Sequence, residues 1–401
     1  MFKHLLKLIW NKKKQNSLLI SEILFSFMVI FAVFTFGVYA WDNYKQPMGM
    51  DYEKVWVVNF SNVSKPASAD SLALFYETVK RNVKSLPEVA EVSYLSVNVP
   101  FSDNTINTNM GVNGKEIRQV NEFTVDDSYP KVLNTKMIAG RWYNKQDGLP
   151  GSRVVVINRA MQEKAFGNEP AEGKFLGVGR PYPNGENQTV KMKIIGVMEN
   201  TKFDGDYQSP GLAVYHRIDT GFNRHVGNML IRLRPSPGAA FESRLYKTLA
   251  NSLTNANIEI EHLDNKRESM NKVTLVPMII LSIVAAFLMI NVALGLFGVL
   301  WYNINKRRGE IGLRRALGAT GSGVSSQIVS ESLILATFSM IIGSFFALQF
   351  PLLNVFDLPA MVYIIALIAS VLFIYVLVFL CSLYPGKQAA AIYPAVALHE
   401  E

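Results

Sequence analysis

Cysteine is nearly absent from the 401-residue sequence, in which Cys381 is the single example. A lone cysteine cannot form an internal disulfide bond, so any large polar domain of this chain must fold without one. The chain is long enough for such a domain to bury an apolar core of its own. Cys381 itself stands inside an apolar run, where a free cysteine usually serves as a small packing residue.

Nucleotide-binding motifs are also missing. The pattern G-x-x-x-x-G-K-[ST] does not occur, because the Gly-Lys pairs at Gly114, Gly173 and Gly386 all lack the following Ser or Thr. The chain therefore has no phosphate cradle of the P-loop type. Gly177 and Gly179 lack the third glycine of a dinucleotide fingerprint. We expect no bound cofactor and no ATP hydrolysis by the usual route.

Signals for a metal site, a catalytic nucleophile or a nucleic-acid partner are equally sparse. The five histidines are scattered, without an H-E-x-x-H motif, and Asp204 and Asp206 indicate a turn rather than a calcium loop. No G-x-S-x-G elbow occurs. The formal charge is +8, but no zinc spacing, basic heptad or aromatic RNA-binding signature accompanies it. We therefore expect no metal, no enzyme activity and no nucleic-acid partner.

Apolar residues are abundant and make up 49% of the sequence. Four apolar runs are each long enough to cross a bilayer, and they cover residues 17–40, 273–301, 326–350 and 360–384. Flanking Lys and Arg resist translocation, which predicts that both termini and the tail 385–401 are cytoplasmic. The turn at 351–359 carries neither Lys nor Arg, as expected for an outside turn.

The N-terminus has two possible interpretations. Residues 1–16 combine apolar residues at helical spacing with several lysines, which predicts an amphipathic helix at the cytoplasmic membrane surface. The alternative is a secretory signal peptide, since Val38-Tyr39-Ala40 resembles a cleavage site. The apolar run exceeds the roughly 7–15 residues of a signal core, which favours an uncleaved anchor.

Glu22 and Glu331 are the two transmembrane acids, one in the first run and one in the third. A carboxylate that faces lipid is costly, so Glu22 should face another span or the membrane interface. Two acids are too few to indicate a wide polar pathway through the bilayer.

The polar region 41–272 should lie outside the cytoplasm, because one span precedes it. Residues 51–99 and 227–264 each read as strand, helix and strand, and together they predict one α/β subdomain. The intervening residues 100–226 are rich in Gly, Asn and short β runs, which predicts an inserted β-rich lobe. The predicted fold is an α-helical membrane protein with four transmembrane helices and a large α+β extracytoplasmic domain.

Residues 302–325 form a basic connector, here called the basic loop, between the second and third spans. Ile304, Ile311, Leu313 and Leu317 recur at roughly helical spacing, and Gly318 offers a C-terminal stop. These residues predict a short amphipathic helix over 302–320 at the inner membrane face. From the residues alone, contact with a soluble partner and simple docking on anionic lipid are equally good explanations.

The segment KRRGEIGLRRALGATGSGVSSQ resembles the signature R-x-x-E-I-G-x-x-R-A-x-G-A-x of MacB/FtsX-type permeases of ABC transporters. Eight positions match, namely Arg307, Glu310, Ile311, Gly312, Arg315, Ala316, Gly318 and Ala319, and Glu331 supplies the acid near the start of the following span. The segment VVVINRAMQEKAFGNEPAEGKFL resembles the MacB-like periplasmic core, and the tail after 385 resembles the end of the family. The resemblance covers nearly the whole chain.

Several expectations follow from this resemblance. It implies a porter-like subdomain at 51–99 and 227–264 with a sabre-like insert at 100–226. It also implies that the basic loop couples the membrane part to an ABC ATPase dimer, which would bind the ATP. The implied coupling residues are Arg307, Glu310, Ile311, Arg314, Arg315 and Gly318. Further implied partners are a second permease copy, identical or related, membrane lipids, and a periplasmic adaptor or outer-membrane protein.

Three functions remain open within the resemblance, all in the bacterial inner membrane. A MacB-like exporter of peptides, drugs or lipoproteins fits the length of the outer region best. An FtsX-like regulator of cell-wall hydrolases usually has a shorter outer domain, and a Lol-like lipoprotein-releasing permease shares the four spans. A membrane-anchored receptor without an ATPase is the alternative outside the family.

Overall fold

A computed structural model describes residues 13–96, 98–103, 105–148, 153–181, 187–218, 226–234 and 238–393. The chain divides into a helical unit, Met1–Asp42 with Leu275–Glu401, and a large domain, Asn43–Thr274. Most of the amphipathic helix predicted at 1–16 and the end of the tail lie outside the described residues.

The described residues form nine α-helices and eleven strands. The helices are α1 Lys13–Lys45, α2 Ala69–Lys84, α3 Tyr129–Leu133, α4 Arg159–Phe166, α5 Ala239–Ser252, α6 Leu263–Lys306, α7 Arg308–Ala316, α8 Gly321–Leu352 and α9 Ala360–Ala390. The strands are β1 Val55–Ser61, β2 Val89–Leu95, β3 Asn107–Val112, β4 Lys115–Val125, β5 Met137–Gly140, β6 Val154–Asn158, β7 Phe175–Pro181, β8 Asn187–Met198, β9 Ala213–Arg217, β10 Asn228–Leu233 and β11 Asn257–His262. Short 3-10 turns cover Lys145–Gly148 and Val355–Asp357.

Four of these helices, α1, α6, α8 and α9, are long and apolar enough to cross a membrane. In the helical unit, small residues let the helices approach closely: a Cβ placed on Gly343 of α8 would lie 2.5 Å from the Phe27 ring of α1. Ser339 of α8 also donates a hydrogen bond to the Ile20 carbonyl of α1, at 3.0 Å. The prediction of four apolar helices is confirmed.

The large domain contains both predicted strand–helix–strand units. Strands β11, β1, β10 and β2 lie side by side in this order, and every neighbouring pair is antiparallel. Val57 of β1 packs into one apolar core, whereas Trp56 and Val58 pack into a second core with α2 and α5. Because successive side chains of a strand point to opposite faces, the continuous apolar run of β1 reflects burial of both faces of the sheet.

The chain between β2 and β10 carries the remaining strands, β3 to β9, with α3 and α4, as expected of a β-rich insert. Asp126, just after β4, connects this insert to the α/β subdomain formed by residues 51–99 and 227–264. Its carboxylate accepts hydrogen bonds from Lys80 of α2 (2.6 Å) and from Ser93 of β2 (2.7 Å). The insert is thereby fixed to both the sheet and a covering helix.

Two details of the basic loop differ from the prediction. The predicted helix over 302–320 is wrong as one element, because α6 continues to Lys306 and Arg307 leaves helical geometry before α7 begins. Leu313 and Leu317 do not share the buried face of Ile311 and are 50% and 80% exposed. At about 100° per residue, position 313 lies roughly 200° from position 311 around the helix, on the other side.

Candidate functional site at the basic loop

An ion-pair network connects α7 to the start of α8. Glu310 accepts hydrogen bonds from Arg307 (Nε, 3.0 Å) and from Arg314 (Nη2, 2.6 Å). Arg307 also reaches Glu331 of α8, with 3.2 Å between Nη1 and Oε2. Gln327 completes the network, because it accepts from Arg314 and donates to Glu331, both at 3.0 Å. One helix turn of α8 is therefore tied both to Arg307, in the break before α7, and to Arg314 of α7.

Arg307 is the central cation of this network. Its partial burial works against the charged form, but the hydrogen bonds and negative charges of Glu310 and Glu331 outweigh burial and raise the pKa of Arg307. The guanidinium consequently stays charged at any physiological pH. Arg307 lies in the break between α6 and α7, and its ion pair with Glu331 connects this break to α8.

A small apolar cluster lies beneath α7. Ile311 of α7 is buried, and it packs with residues from three other helices. These residues are Leu300 and Ile304 of α6, Val324 and Ile328 of α8, and Ala389 of α9. This cluster therefore brings the end of α6, the beginning of α8 and the end of α9 together with Ile311.

The opposite face of α7 is exposed and combines apolar and basic groups. Leu313 and Leu317 are largely exposed, and Arg314 keeps 40% of its side chain accessible. Gly318 has a φ of +98° and ends the helical segment, as its type predicts. Thr320 then caps α8 by accepting a hydrogen bond from the Gly323 amide. Exposed leucines beside arginines suit contact with a soluble partner and docking on an anionic membrane surface equally.

The predicted coupling residues therefore fall into groups. Arg307, Glu310 and Arg314 belong to the ion-pair network, and Ile311 belongs to the apolar cluster. Arg315 lies apart, beside the start of α8: a Cβ placed on Gly321 would lie 2.7 Å from its Nη1.

Sequence reasoning did not select Gln327 as a site residue. Gln327 stands four residues before Glu331 on α8, which is the spacing at which two helical side chains meet. That spacing could have identified the pair.

The second transmembrane acid, Glu22, lies on α1 within the helical unit. A Cβ placed on Gly295 of α6 would lie 2.6 Å from Glu22 Oε2, so the carboxylate occupies the space that a side chain would need. Glu22 thus faces another helix, as expected for a carboxylate in an apolar span.

Comparison with known families places two domains on the chain. Residues 18–244 match the MacB-like periplasmic core domain, and residues 282–394 match the FtsX-like permease C-terminal domain. The second match contains the whole basic loop with its ion-pair network.

Three curated relatives are similar over more than half of this chain. The uncharacterized ABC transporter permease YvrN of Bacillus subtilis is 23% identical, over 70% of this chain and 70% of its own length. The macrolide export ATP-binding/permease protein MacB of Rhodopseudomonas palustris is 25% identical over 69% of this chain. The probable syringafactin export ATP-binding/permease protein SyfD of Pseudomonas syringae is 26% identical over 58%. The chain spans only 42% and 35% of the lengths of the latter two proteins.

Proposed function

The chain belongs to the MacB/FtsX type of ABC transporter permeases, and from this premise we propose that it transmits ATP-driven motion of a partner ATPase to its large domain. In this proposal the basic loop and both termini are cytoplasmic, and the large domain lies on the other side of a bacterial inner membrane. ATP is bound and hydrolysed by a partner ATPase dimer, and the permease acts as a dimer with an identical or related chain.

The observation that supports this proposal is that α7 has one exposed face and one face that packs against other helices. Its exposed face presents Leu313 and Leu317 to a partner, while Ile311 on the other face packs against the ends of three membrane helices. A push on the exposed face would therefore be delivered to α6, α8 and α9 together. The ion pairs of Arg307 with Glu310 and Glu331 oppose independent movement of α7 and α8.

Export of a peptide, drug or lipoprotein is the activity we propose for the complete transporter. The names of two relatives specify export, of a macrolide in one and of syringafactin in the other. The match to a MacB-like core over residues 18–244 supports this class over an FtsX-like regulator with its shorter outer domain. A Lol-like release of lipoproteins is the alternative that uses the same four spans and a large outer domain.

The substitution Leu317→Asp tests whether α7 is the ATPase contact. It places a charge on a side chain that is 80% exposed, so folding should be unaffected while an apolar contact is lost. We expect the amount of ABC ATPase that co-purifies with the detergent-solubilised full chain to fall by about tenfold or more, since removal of a central contact costs about 2 kcal/mol or more.

Leu74→Asp is the matched control, because Leu74 is 65% exposed on α2 of the large domain. The control should co-purify the ATPase as the wild type does. Equal recovery from the Leu317→Asp variant would mean that the basic loop docks on lipid alone, and the proposed contact would be wrong.

A further inference from the structure

A loop of the large domain, residues 200–208 between β8 and β9, contacts the ends of two long helices. We call it the anchor loop. Lys202 of this loop is only 2% exposed, although it carries an ammonium group. Its Nζ donates hydrogen bonds to the carbonyls of Asn43, Gln46 (2.8 Å) and Asp206 (3.2 Å). Asn43 stands in the last turn of α1, and Gln46 is the residue that follows the helix.

The chemistry of a helix end explains this contact. The last carbonyls of an α-helix have no partner within the helix, and the end carries a partial negative charge. A buried ammonium satisfies both needs at once. Burial lowers the pKa of Lys202, and the negative charge of Asp206 opposes that shift. The Asn43 carbonyl also accepts a hydrogen bond from the Gln46 amide at 2.9 Å, so the ammonium adds a second, charged donor at this helix end.

Further contacts attach both the last turn of α1 and the residues after it to the anchor loop. The Lys202 amide donates to the Met48 carbonyl at 3.0 Å, and the ring of Tyr44 stacks on Tyr207 with 5.7 Å between centroids. Gly49 has a φ of +74°, and a Cβ placed there would lie 1.9 Å from the Asn200 carbonyl oxygen. Only glycine fits this approach. The residues after α1, Met48 and Gly49, therefore lie in direct contact with the backbone of the anchor loop.

The same loop holds the beginning of α6. The Asp206 carboxylate accepts two hydrogen bonds from Arg267, at 2.9 and 2.6 Å, and one from Asn271 at 2.8 Å. Asn271 in turn accepts from the Asp206 amide at 2.8 Å. Gln208 donates to Thr274 at 3.2 Å, one turn further along α6. Burial would raise the pKa of Asp206, but Arg267 and Asn271 outweigh it and lower the pKa.

We propose that the anchor loop is a rigid joint within the large domain that holds the end of α1 and the beginning of α6 at a fixed separation. The source of the motion rests on the proposed function, but the joint is a property of this chain. Loss of one partner from this largely buried ion pair would leave the other charge without its counter-ion, which is strongly destabilising. The joint therefore stays closed during a transport cycle.

The position of the joint along α6 supports this assignment. α6 runs without interruption from Leu263 to Lys306, a length of about 66 Å at 1.5 Å per residue. Pro277 stands inside it and removes one helical hydrogen bond. Arg267 and Asn271 precede that weak point, so the anchor loop grips the part of α6 that belongs to the large domain.

Spin labels on the two helix ends test the joint directly. Lys45→Cys and Lys272→Cys replace exposed residues at the end of α1 and the start of α6, in a Cys381→Ser background. Distances are measured by pulsed EPR in the full chain, reconstituted with its ATPase, without nucleotide and with trapped ATP. We expect one narrow distribution that is the same in both states. A shift with nucleotide would show that the joint opens and would overturn the proposal.

Charge reversal identifies the residues responsible. Asp206→Arg faces Arg267 with a like charge, and we expect a distribution about twofold broader or more even without nucleotide, because repulsion replaces the buried pair. The double variant D206R/R267D should restore the narrow distribution. If Asp206→Arg does not fold, Asp206→Asn keeps the shape and should broaden the distribution partly. An unchanged distribution in both single variants would refute the assignment.

Failure of the joint and failure of the proposed function give different results. The comparison without nucleotide requires no ATPase, so it tests the joint even if no ATPase binds. Conversely, an ATPase that binds and is stimulated while Asp206→Arg leaves the distances unchanged would refute the joint alone.

Discussion

Glu310→Arg is expected to abolish the stimulation of the partner ATPase by this chain. Glu310 is the acid that separates Arg307 from Arg314, which lie within 3.0 and 2.6 Å of its carboxylate. A third guanidinium at this place would repel both and detach α7 from α8. A loss of about 1.4 kcal/mol of stability in the coupled state is a tenfold effect, and reversal of the Glu310 charge between two close guanidinium groups should exceed it. The measurement is the ATPase rate of the reconstituted complex.

A charge swap controls for the reversal. E310R/R314E restores one acid–base pair four residues apart in α7 and leaves Arg307 with Glu331, so it should recover part of the stimulation. Glu310→Gln removes the charge but keeps a hydrogen-bond acceptor, and a smaller loss is expected. Full stimulation by the Glu310→Arg variant would rule out a role for the network in coupling.

Ile311→Ala is expected to separate ATPase binding from ATPase coupling. Ile311 is buried among Leu300, Ile304, Val324 and Ile328, and truncating a buried isoleucine typically costs about 2–5 kcal/mol. The exposed face of α7 keeps its leucines, so the ATPase should still co-purify. Stimulation should fall by about tenfold or more, because α7 no longer holds the ends of α6 and α8.

Leu313→Ala provides the crossed control on the same helix. Leu313 is 50% exposed, so its truncation should weaken co-purification while leaving the packing of the helical unit intact. The account predicts opposite patterns for the two variants. If both lose binding and stimulation in parallel, the two faces of α7 do not have separate roles.

Helices of this fold can be predicted from the sequence where the spacing of apolar residues and the capping residues indicate the same element. Ser68 caps α2 as its type predicts, and its side chain accepts from the Ser71 amide. Phe241, Leu245, Leu249 and Leu253, spaced by four, are all buried along α5. Local signals of this kind suffice because one face of each helix meets one core.

Two features of the basic loop could not be predicted from the sequence, namely the helix break at Arg307 and the orientation of Leu313. The pattern predicts one amphipathic helix, but Arg307 interrupts it, and the hydrogen bond of Arg307 to Glu331 joins positions 24 residues apart. Spacing alone also grouped Leu313 with Ile311, although the two point to opposite sides of a helix. A leucine that serves a contact outside the chain has the same periodic appearance as one in the core.

The anchor loop could not be found from the sequence at all. Asp204-Gly205-Asp206 indicates only a turn, and nothing near Lys202 predicts burial of an ammonium group. The partners of Lys202 and Asp206 lie at least 61 residues away along the chain, apart from a contact within the loop. Such contacts depend on the tertiary fold, which brings the insert to the two helix ends.

Transmission across a membrane requires that the basic loop and the large domain lie on opposite sides of it. Ser322→Cys in the loop and Arg118→Cys in the insert, both exposed, can be labelled singly with a membrane-impermeant maleimide in a Cys381→Ser background. The account predicts that Arg118→Cys is labelled from outside in intact cells and that Ser322→Cys is labelled only after the membrane is opened. Labelling of both positions from the same side would contradict it.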